Sequence, residues 1–359
     1  MRNDEKTLFI KLCSFLDADE EALAGLLNEN ATPAVLGQLF FNRMQGTAYE
    51  TLRKSGLLGA VSREFRNALK GAWEQNCQRN ESFYTAVKLL SELLAGKEGK
   101  YAMLKGAVLC GKYPNGCRTS NDVDLLLLPE HITELGDVLE AAGFRQGELK
   151  SGAFVPATRR EIIASRMMRG ETVPYILELR LPMMQYLEVD LNFSLDYKNS
   201  GADTLEKMLS QTERISVGNT PLQTLCEEDF FLHLCGHLYK EAATLPWIQM
   251  KRDMTLYKYC DIYMLMRRMT ERQIARLMCR AEALHMLDIF CFAILQTAEL
   301  FASANCIAVQ RAAKAMLGRE AFLHTVISPK DRKTLRYTEP SVWERFFSED
   351  RTALLEEVN

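Results

Sequence analysis

Two aspartates separated by one residue, Asp122-Val123-Asp124, run directly into four leucines and then Pro129. A short apolar run closed by proline reads better as a buried strand than as a helix. Residues two apart on a strand project from the same sheet face, so the two carboxylates can hold one or two hard cations between them. Left buried and unpaired they would be costly. The alternative is a solvated sheet edge where both face water. Upstream, the Lys105-Gly106 turn brings backbone N–H groups and an ammonium towards the same edge, which is how chains cradle phosphates. Downstream, the stretch Leu187-Glu188-Val189-Asp190-Leu191-Asn192-Phe193 reads as a second strand, on which Asp190 could complete an acidic triad and so a two-metal site.

The elements that must position these residues follow from periodicity. A brief helix over 107–112 and a loop through Pro114, Asn115 and Gly116 lead into the strand at 122–128, and a helix over 131–142 stops at Gly143. Stretches 173–181 and 186–195, separated by Pro182, read as an antiparallel pair within a mixed sheet. Residues before about 100 show helical spacing. Thr32-Pro33 forms a helix start, one helix carries Phe65, Leu69 and Trp73, and another runs over 82–94 before the breakers at 96–99. After about 200 the helical period returns, with Leu225, Phe230, Phe231, Leu234 and Leu238 on one helix and Tyr259, Ile262, Tyr263 and Met266 on another. The expected organisation is a helical region at 1–95, an α/β core at 96–200 and a C-terminal helical domain at 201–359 that forms the other wall of a cleft.

A glycine turn, then Asp-x-Asp, then a third Asp on a later strand resembles the polymerase-beta-like nucleotidyltransferase superfamily. The details are most similar to its bacterial family of uncharacterised nucleotidyltransferases, the NTP-transferase 5 group. The matching residues are Leu104, Lys105 and Gly106, then Tyr113 and Pro114, then Arg118, Asp122, Val123, Asp124, Leu125 and Leu126, then Val189, Asp190 and Leu191. His233 or His237, Trp247 and Asp261 fit the family's later helical part, so the resemblance spans roughly 80–270. Two positions depart from the pattern: the turn is Lys-Gly where the superfamily has Gly-Ser, and Asn192 stands where many relatives have His.

The resemblance implies an α+β fold, a polymerase-beta-like core of mixed sheet and flanking helices between helical regions. It implies Mg2+-dependent (or Mn2+-dependent) transfer of a nucleoside monophosphate from an NTP to an acceptor hydroxyl, with pyrophosphate released. Asp122 and Asp124 would ligate the metal on the triphosphate, and Asp190 would hold a second ion or take the acceptor's proton. Lys105 and Arg118 become phosphate contacts, and Gly106 and Ser120 backbone or hydroxyl contacts. The acceptor is a small molecule, a peptide or protein, or an RNA end. A different class of reading is a non-catalytic protein that keeps the fold to sense a nucleotide or bind a partner; a complete acidic triad disfavours it.

Other signals are weaker. His233 and His237 are four apart on a helix but lack the Glu of a zincin motif, which favours packing or substrate contact over a metal. Lys240, Lys251, Arg252 and Lys258 surround Trp247. His237, Lys240, Trp247, Lys258 and Asp261 could together line a substrate cleft with an aromatic platform, or the cations could form a solvated helix face around one core Trp. Arg159-Arg160 and the arginines at 166 and 169 guide a phosphate or merely solvate a loop. Glu178 and Arg180 read as members of ordinary cross-strand pairs.

Composition limits the rest. The 359 residues, 47% hydrophobic and 25% charged, describe a globular chain of about two domains and exclude disordered or collagen-like classes. With 44 basic against 47 acidic residues the charge is -3, so no global field attracts RNA or an anionic membrane. No apolar run is long enough to span a membrane, and the start, MRNDEKTLFIKLC, is charged where a signal peptide is apolar, so the chain reads as cytoplasmic. Its 10 cysteines are scattered without a C-x-x-C pair and read as reduced thiols. P-loop, dinucleotide-fold and G-x-S-x-G motifs are absent, which lowers kinases, dehydrogenases and hydrolases. The sequence leaves the oligomeric state open.

Overall fold

The computed structural model describes residues 1–14, 20–168, 170–195, 203–302 and 304–358. The chain divides into two compact units, Ala72–Phe230 and the pair of segments Met1–Gly71 and Phe231–Asn359. The fold is α+β, with helices flanking a mixed sheet.

The first unit is built on a six-stranded sheet. Its strands in chain order are β1 (Tyr101–Met103), β2 (Asp122–Leu127), β3 (Arg145–Lys150), β4 (Ala153–Pro156), β5 (Tyr175–Leu181) and β6 (Met184–Asn192), and their spatial order is β1-β2-β6-β5-β3-β4. The β2–β6 pair is parallel and every other pair is antiparallel. Parallel neighbours need a long crossover. Here it contains the helix Ile132–Ala141, the β3–β4 hairpin, the helix Arg159–Met168 and β5. The alternation of β2 and β6 explains their place in the centre: Val123, Leu125, Leu127, Leu187, Val189 and Leu191 are fully buried. They pack with Phe83, Val87 and Leu90 of one helix, with Leu94 just past its end, and with Leu135 and Leu139 of another. Each fully buried Leu or Phe contributes about 1.5–3 kcal/mol, so the strands that carry the aspartates also anchor the core.

The structure corrects the helix count before residue 100. One 31-residue helix, Arg63–Leu93, replaces the two expected there. Between Trp73 and Ser82 the sequence is polar but has neither Pro nor Gly, so nothing breaks the helix. Its polarity has a use. The Trp73 indole N–H donates to the Asn115 carbonyl (3.0 Å), the Asn76 amide to the Gly116 carbonyl (3.0 Å), the Asn80 amide to Asn115 Oδ1 (3.2 Å), and Arg79 to Asn121 Oδ1 (3.1 Å). The helix therefore holds the loop that feeds β2. Gly116 has φ +78°, and a side chain there would press on Trp73 and Cys77, so this turn depends on glycine.

Strands also occur where the sequence reads as helical. A hairpin, β7 (Thr212–Val217) and β8 (Thr220–Leu225), turns at Gly218 with φ +58°. The Thr224 hydroxyl of β8 donates to the Met103 carbonyl of β1 (2.7 Å). In the second unit, Thr325–Ser328, Lys333–Tyr337 and Leu355–Glu357 form a three-stranded antiparallel sheet. The rest of that unit is helical, with stacked Tyr263–Phe301 and Tyr239–Phe322 rings and a buried bidentate pair in which Arg351 donates to Asp253 (2.7 and 2.8 Å). All ten cysteines are free, six of them buried. Among the described residues no helix is long and apolar enough to cross a membrane.

Candidate active site

The parallel β2–β6 register sets Asp124 opposite Asp190 and Asp122 opposite Glu188. Because side chains alternate along both strands, these four carboxylates share one sheet face in a two-by-two grid, while Val123 and Val189 point into the core on the other. Asp122, at the strand start, is exposed, whereas Asp124 is buried at 6% exposure. Sequence reading singled out Asp122, Asp124 and Asp190 but missed Glu188. The signal was present, because Glu188-Val189-Asp190 repeats the alternation of Asp122-Val123-Asp124.

Lys105 lies in the turn between β1 and the four-residue helix Gly106–Leu109, with φ 44°. A non-glycine residue at positive φ is a strained placement. The Leu104 N–H donates to the Asp124 carbonyl (3.0 Å), which ties the turn to β2, and the Lys105 ammonium reaches Asp124 Oδ1 at 2.7 Å. Burial alone would lower the Lys105 pKa. Asp124 first, then Asp122 and Asp190, outweigh it and hold the ammonium above its ordinary value.

The neighbouring polar groups serve the same aspartates. The Ser120 hydroxyl donates to Asp122 Oδ1 (2.8 Å), and the Asn192 amide donates to Asp124 Oδ1 (3.3 Å) and to the Asp190 carbonyl (3.4 Å). Arg118 donates to the Thr119 carbonyl (2.5 Å), within the loop held by the long helix. At Gly106 an added Cβ would collide with Ser120 Oγ and Cβ, so glycine is what lets the Lys105 turn approach the loop before β2. A Gly106→Ala protein is expected to lose about 1–3 kcal/mol of stability through that overpacking. A lowered denaturant midpoint with an unchanged m-value is the reading that checks it.

The electrostatics show a surplus of negative charge. Burial, followed by Asp124, Asp122, Glu188 and Glu171, pushes the Asp190 pKa well above its ordinary value of 3.8. Burial, then Asp122 and Asp124, raises Glu188 as well. One ammonium does not neutralise four carboxylates, and hard oxygen donors of this kind suit a divalent cation such as Mg2+. As the side chains stand, no three His, Cys, Asp or Glu groups among the described residues converge to hold a metal ion, and Asp124 is turned towards Lys105.

The residues expected to line a substrate cleft lie in the second unit. The Lys258 ammonium, buried, is paired with Glu241, and His237 Nε2 is 3.4 Å from Glu241 Oε1. Lys258 also lies over the Trp247 and Tyr257 rings, 5.9 and 5.6 Å from their centroids. Asp261 is buried, Lys240 is half-buried, and Lys251 and Arg252 are exposed. Lys258 is therefore neither a free cation on a wall nor part of a solvated face, since Glu241 takes its charge. Arg159, Arg160 and Arg166 are exposed, and Arg169 lies outside the described residues. Glu178 and Arg180 bond to each other along β5 (2.9 Å) and not across strands, because a register shift between Glu178 and Leu181 breaks the regular pairing.

The comparisons with known proteins extend this picture. A search of the curated proteins finds no match. Among solved structures, the chain is similar to the crystal structure of an antigenic nucleotidyltransferase-like protein from Paracoccidioides brasiliensis. The two are 14% identical, the match covers 64% of this chain and 96% of that one, and the TM-score of 0.35 is too low to bear on the fold. The model of one family matches residues 28–302, which include the turn, both aspartate strands and most of the second unit's helices. The chain belongs to the family of uncharacterised nucleotidyltransferases.

Proposed function

We propose that the carboxylate face of β2 and β6 is the active site of a polymerase-beta-like nucleotidyltransferase that moves an NMP from an NTP to an acceptor hydroxyl. The observation that carries this reading is the parallel register, which sets Asp124 beside Asp190 and Asp122 beside Glu188 with the Lys105 ammonium on Asp124. Asp122, Asp124 and Asp190 would hold Mg2+ or Mn2+. Divalent ions at such a site neutralise the triphosphate and stabilise the entering and leaving oxygens of an in-line displacement. The acceptor oxygen bonds to the α-phosphorus, the bond to the bridging oxygen breaks, pyrophosphate leaves, and the acceptor proton passes to the Asp190 carboxylate. Lys105 would pass from Asp124 to the phosphates, Ser120 orients Asp122, and Asn192 orients Asp124.

The test is transfer of label from each α-labelled NTP, with Mg2+ or Mn2+, into a cell extract separated into small-molecule, RNA and protein fractions. An Asp122→Asn/Asp124→Asn protein serves as control. Label in one fraction, made only by the unmutated protein, is the expected result and identifies the acceptor class. Equal labelling by the control would remove the carboxylate face from the reaction. Glu188 belongs to the same face, and Glu188→Gln is expected to lower transfer about tenfold by weakening the negative field, with a higher Mg2+ requirement. A magnesium titration of both proteins checks this, and coincident titrations would place Glu188 outside the site.

A further inference from the structure

The Lys105 ammonium holds a fixed place among the carboxylates because its backbone is pinned on both sides. The Leu104 N–H donates to the Asp124 carbonyl (3.0 Å), and the Lys105 carbonyl accepts from the Val108 and Leu109 N–H groups (3.1 and 2.8 Å). Gly106 packs so closely against Ser120 that an added Cβ would collide with its Oγ. The turn is therefore tied to β2 and to the loop before it, and Lys105 is kept at φ 44° against the strain of that conformation. From this place the ammonium reaches Asp124 Oδ1 at 2.7 Å, and the fields of Asp122 and Asp190 act on it as well. The Lys105 side chain is 23% exposed and that of Asp124 9%, so salt and water screen the pair poorly.

That geometry sets Lys105 against any cation arriving alone. Asp124 Oδ1 accepts from the ammonium and from the Asn192 amide (3.3 Å). As the side chains stand, no three His, Cys, Asp or Glu groups among the described residues converge on one ion. A divalent cation on either oxygen of Asp124 meets the like charge of the ammonium, in a site where such repulsion is strong. For the cation to be accepted, the ammonium must leave Asp124. The other carboxylates acting on it are Asp122 and Asp190, which the same cation would draw on. A triphosphate changes this balance, because it brings a new acceptor of opposite charge, a phosphate oxygen.

We propose that Lys105 couples the binding of metal to the binding of nucleotide. Its ammonium opposes a divalent cation that binds alone, and it favours the same cation once a triphosphate has drawn the ammonium off Asp124. This inference rests on the nucleotidyltransferase reading of the carboxylate face and adds to it a coupling between the two ligands. Reciprocity follows, since whatever factor the nucleotide contributes to cation affinity, the cation contributes to nucleotide affinity.

The experiment titrates Mn2+ into the full chain without nucleotide and reads bound manganese by electron spin resonance, for the unmutated protein and for Lys105→Met. Methionine keeps the apolar stem and removes the charge. Manganese is expected to bind the variant about tenfold more tightly, because the like charge is gone. Loss of a residue that only held the turn together would weaken the site instead. Should Lys105→Met fail to fold, crystals of the unmutated protein with manganese and a non-hydrolysable NTP analogue decide the matter. The Lys105 ammonium is expected there on a phosphate oxygen, with manganese on Asp124. Equal or weaker manganese binding by a folded Lys105→Met protein, or an ammonium still on Asp124 Oδ1 in that crystal, would overturn the coupling and leave the nucleotidyltransferase reading standing. Manganese absent from the carboxylates of that crystal would remove the reading itself, and the coupling with it.

Discussion

An Asp124→Asn protein is expected to lose about 10³-fold in transfer rate, the largest effect of any single change at the site. Asp124 lies opposite Asp190 in the parallel register and is bonded to the Lys105 ammonium and to the Asn192 amide. The substitution keeps the shape and removes one negative charge together with half of the oxygen donors. A hard cation then loses a carboxylate, and Lys105 loses the partner that holds it in its strained turn. The loss should appear in kcat and in kcat/KM equally, because charge stabilisation during the displacement is what disappears. Lys105 is still faced by Asp122 and Asp190, so the melting temperature should change by only a few degrees. Single-turnover label transfer, beside a melting curve that shows the variant folded, makes the measurement. Transfer within a factor of about three of the unmutated rate, from a protein this central to the grid, would sink the catalytic reading.

How far the site was legible depends on the kind of signal each residue leaves. Asp122 and Asp124 stood out because a carboxylate pair running into four leucines is hard to explain by packing. The β5–β6 pair was legible because Pro182 separates two apolar runs, and the structure places them antiparallel. The closeness of β6 to β2 was not contained in local pattern. It depends on a crossover of some 55 residues and on a register that only the packed sheet fixes, and with that register Glu188 enters the grid as well. The polar stretch after Trp73 was misread for a related reason: its asparagines and arginine look like a loop because they serve one, Pro114 to Asn121, from the face of a helix. Lys258 read as an exposed cation because sequence does not show that Glu241, on another helix, is buried against it. Charge type is legible in a sequence, but the partner that neutralises it is a property of tertiary structure.

Asp190→Asn is expected to move activity and stability in opposite directions. Transfer should fall about 10²- to 10³-fold, since the variant loses both a cation ligand and the group that takes the acceptor proton. Stability without divalent cation should rise. Burial and the fields of Asp124, Asp122, Glu188 and Glu171 raise the Asp190 pKa in the folded chain, so the carboxyl binds its proton more tightly folded than unfolded. Such a group favours the fold fully below its ordinary value of 3.8, and the contribution is lost as pH rises through its elevated folded value. The unmutated protein should therefore lose stability with rising pH above that ordinary value, whereas the asparagine does not ionise. The gap between the two proteins should widen with pH to a few degrees in melting temperature and then level off. Part of the slope should persist in the variant, because Glu188 is raised in the same way. Added Mg2+ should reverse the order by stabilising the unmutated protein more, since the cation relieves the repulsion that the mutation removes. Melting curves from pH 4 upward, with and without Mg2+, measure all of this. If Asp190→Asn instead melts lower at every pH, or if Mg2+ stabilises both proteins alike, then Asp190 is a structural carboxylate and the acid face works without it. The opposition of the two effects is the physical content of the reading, because a carboxylate kept where it destabilises the empty fold is retained for a charge that arrives from outside.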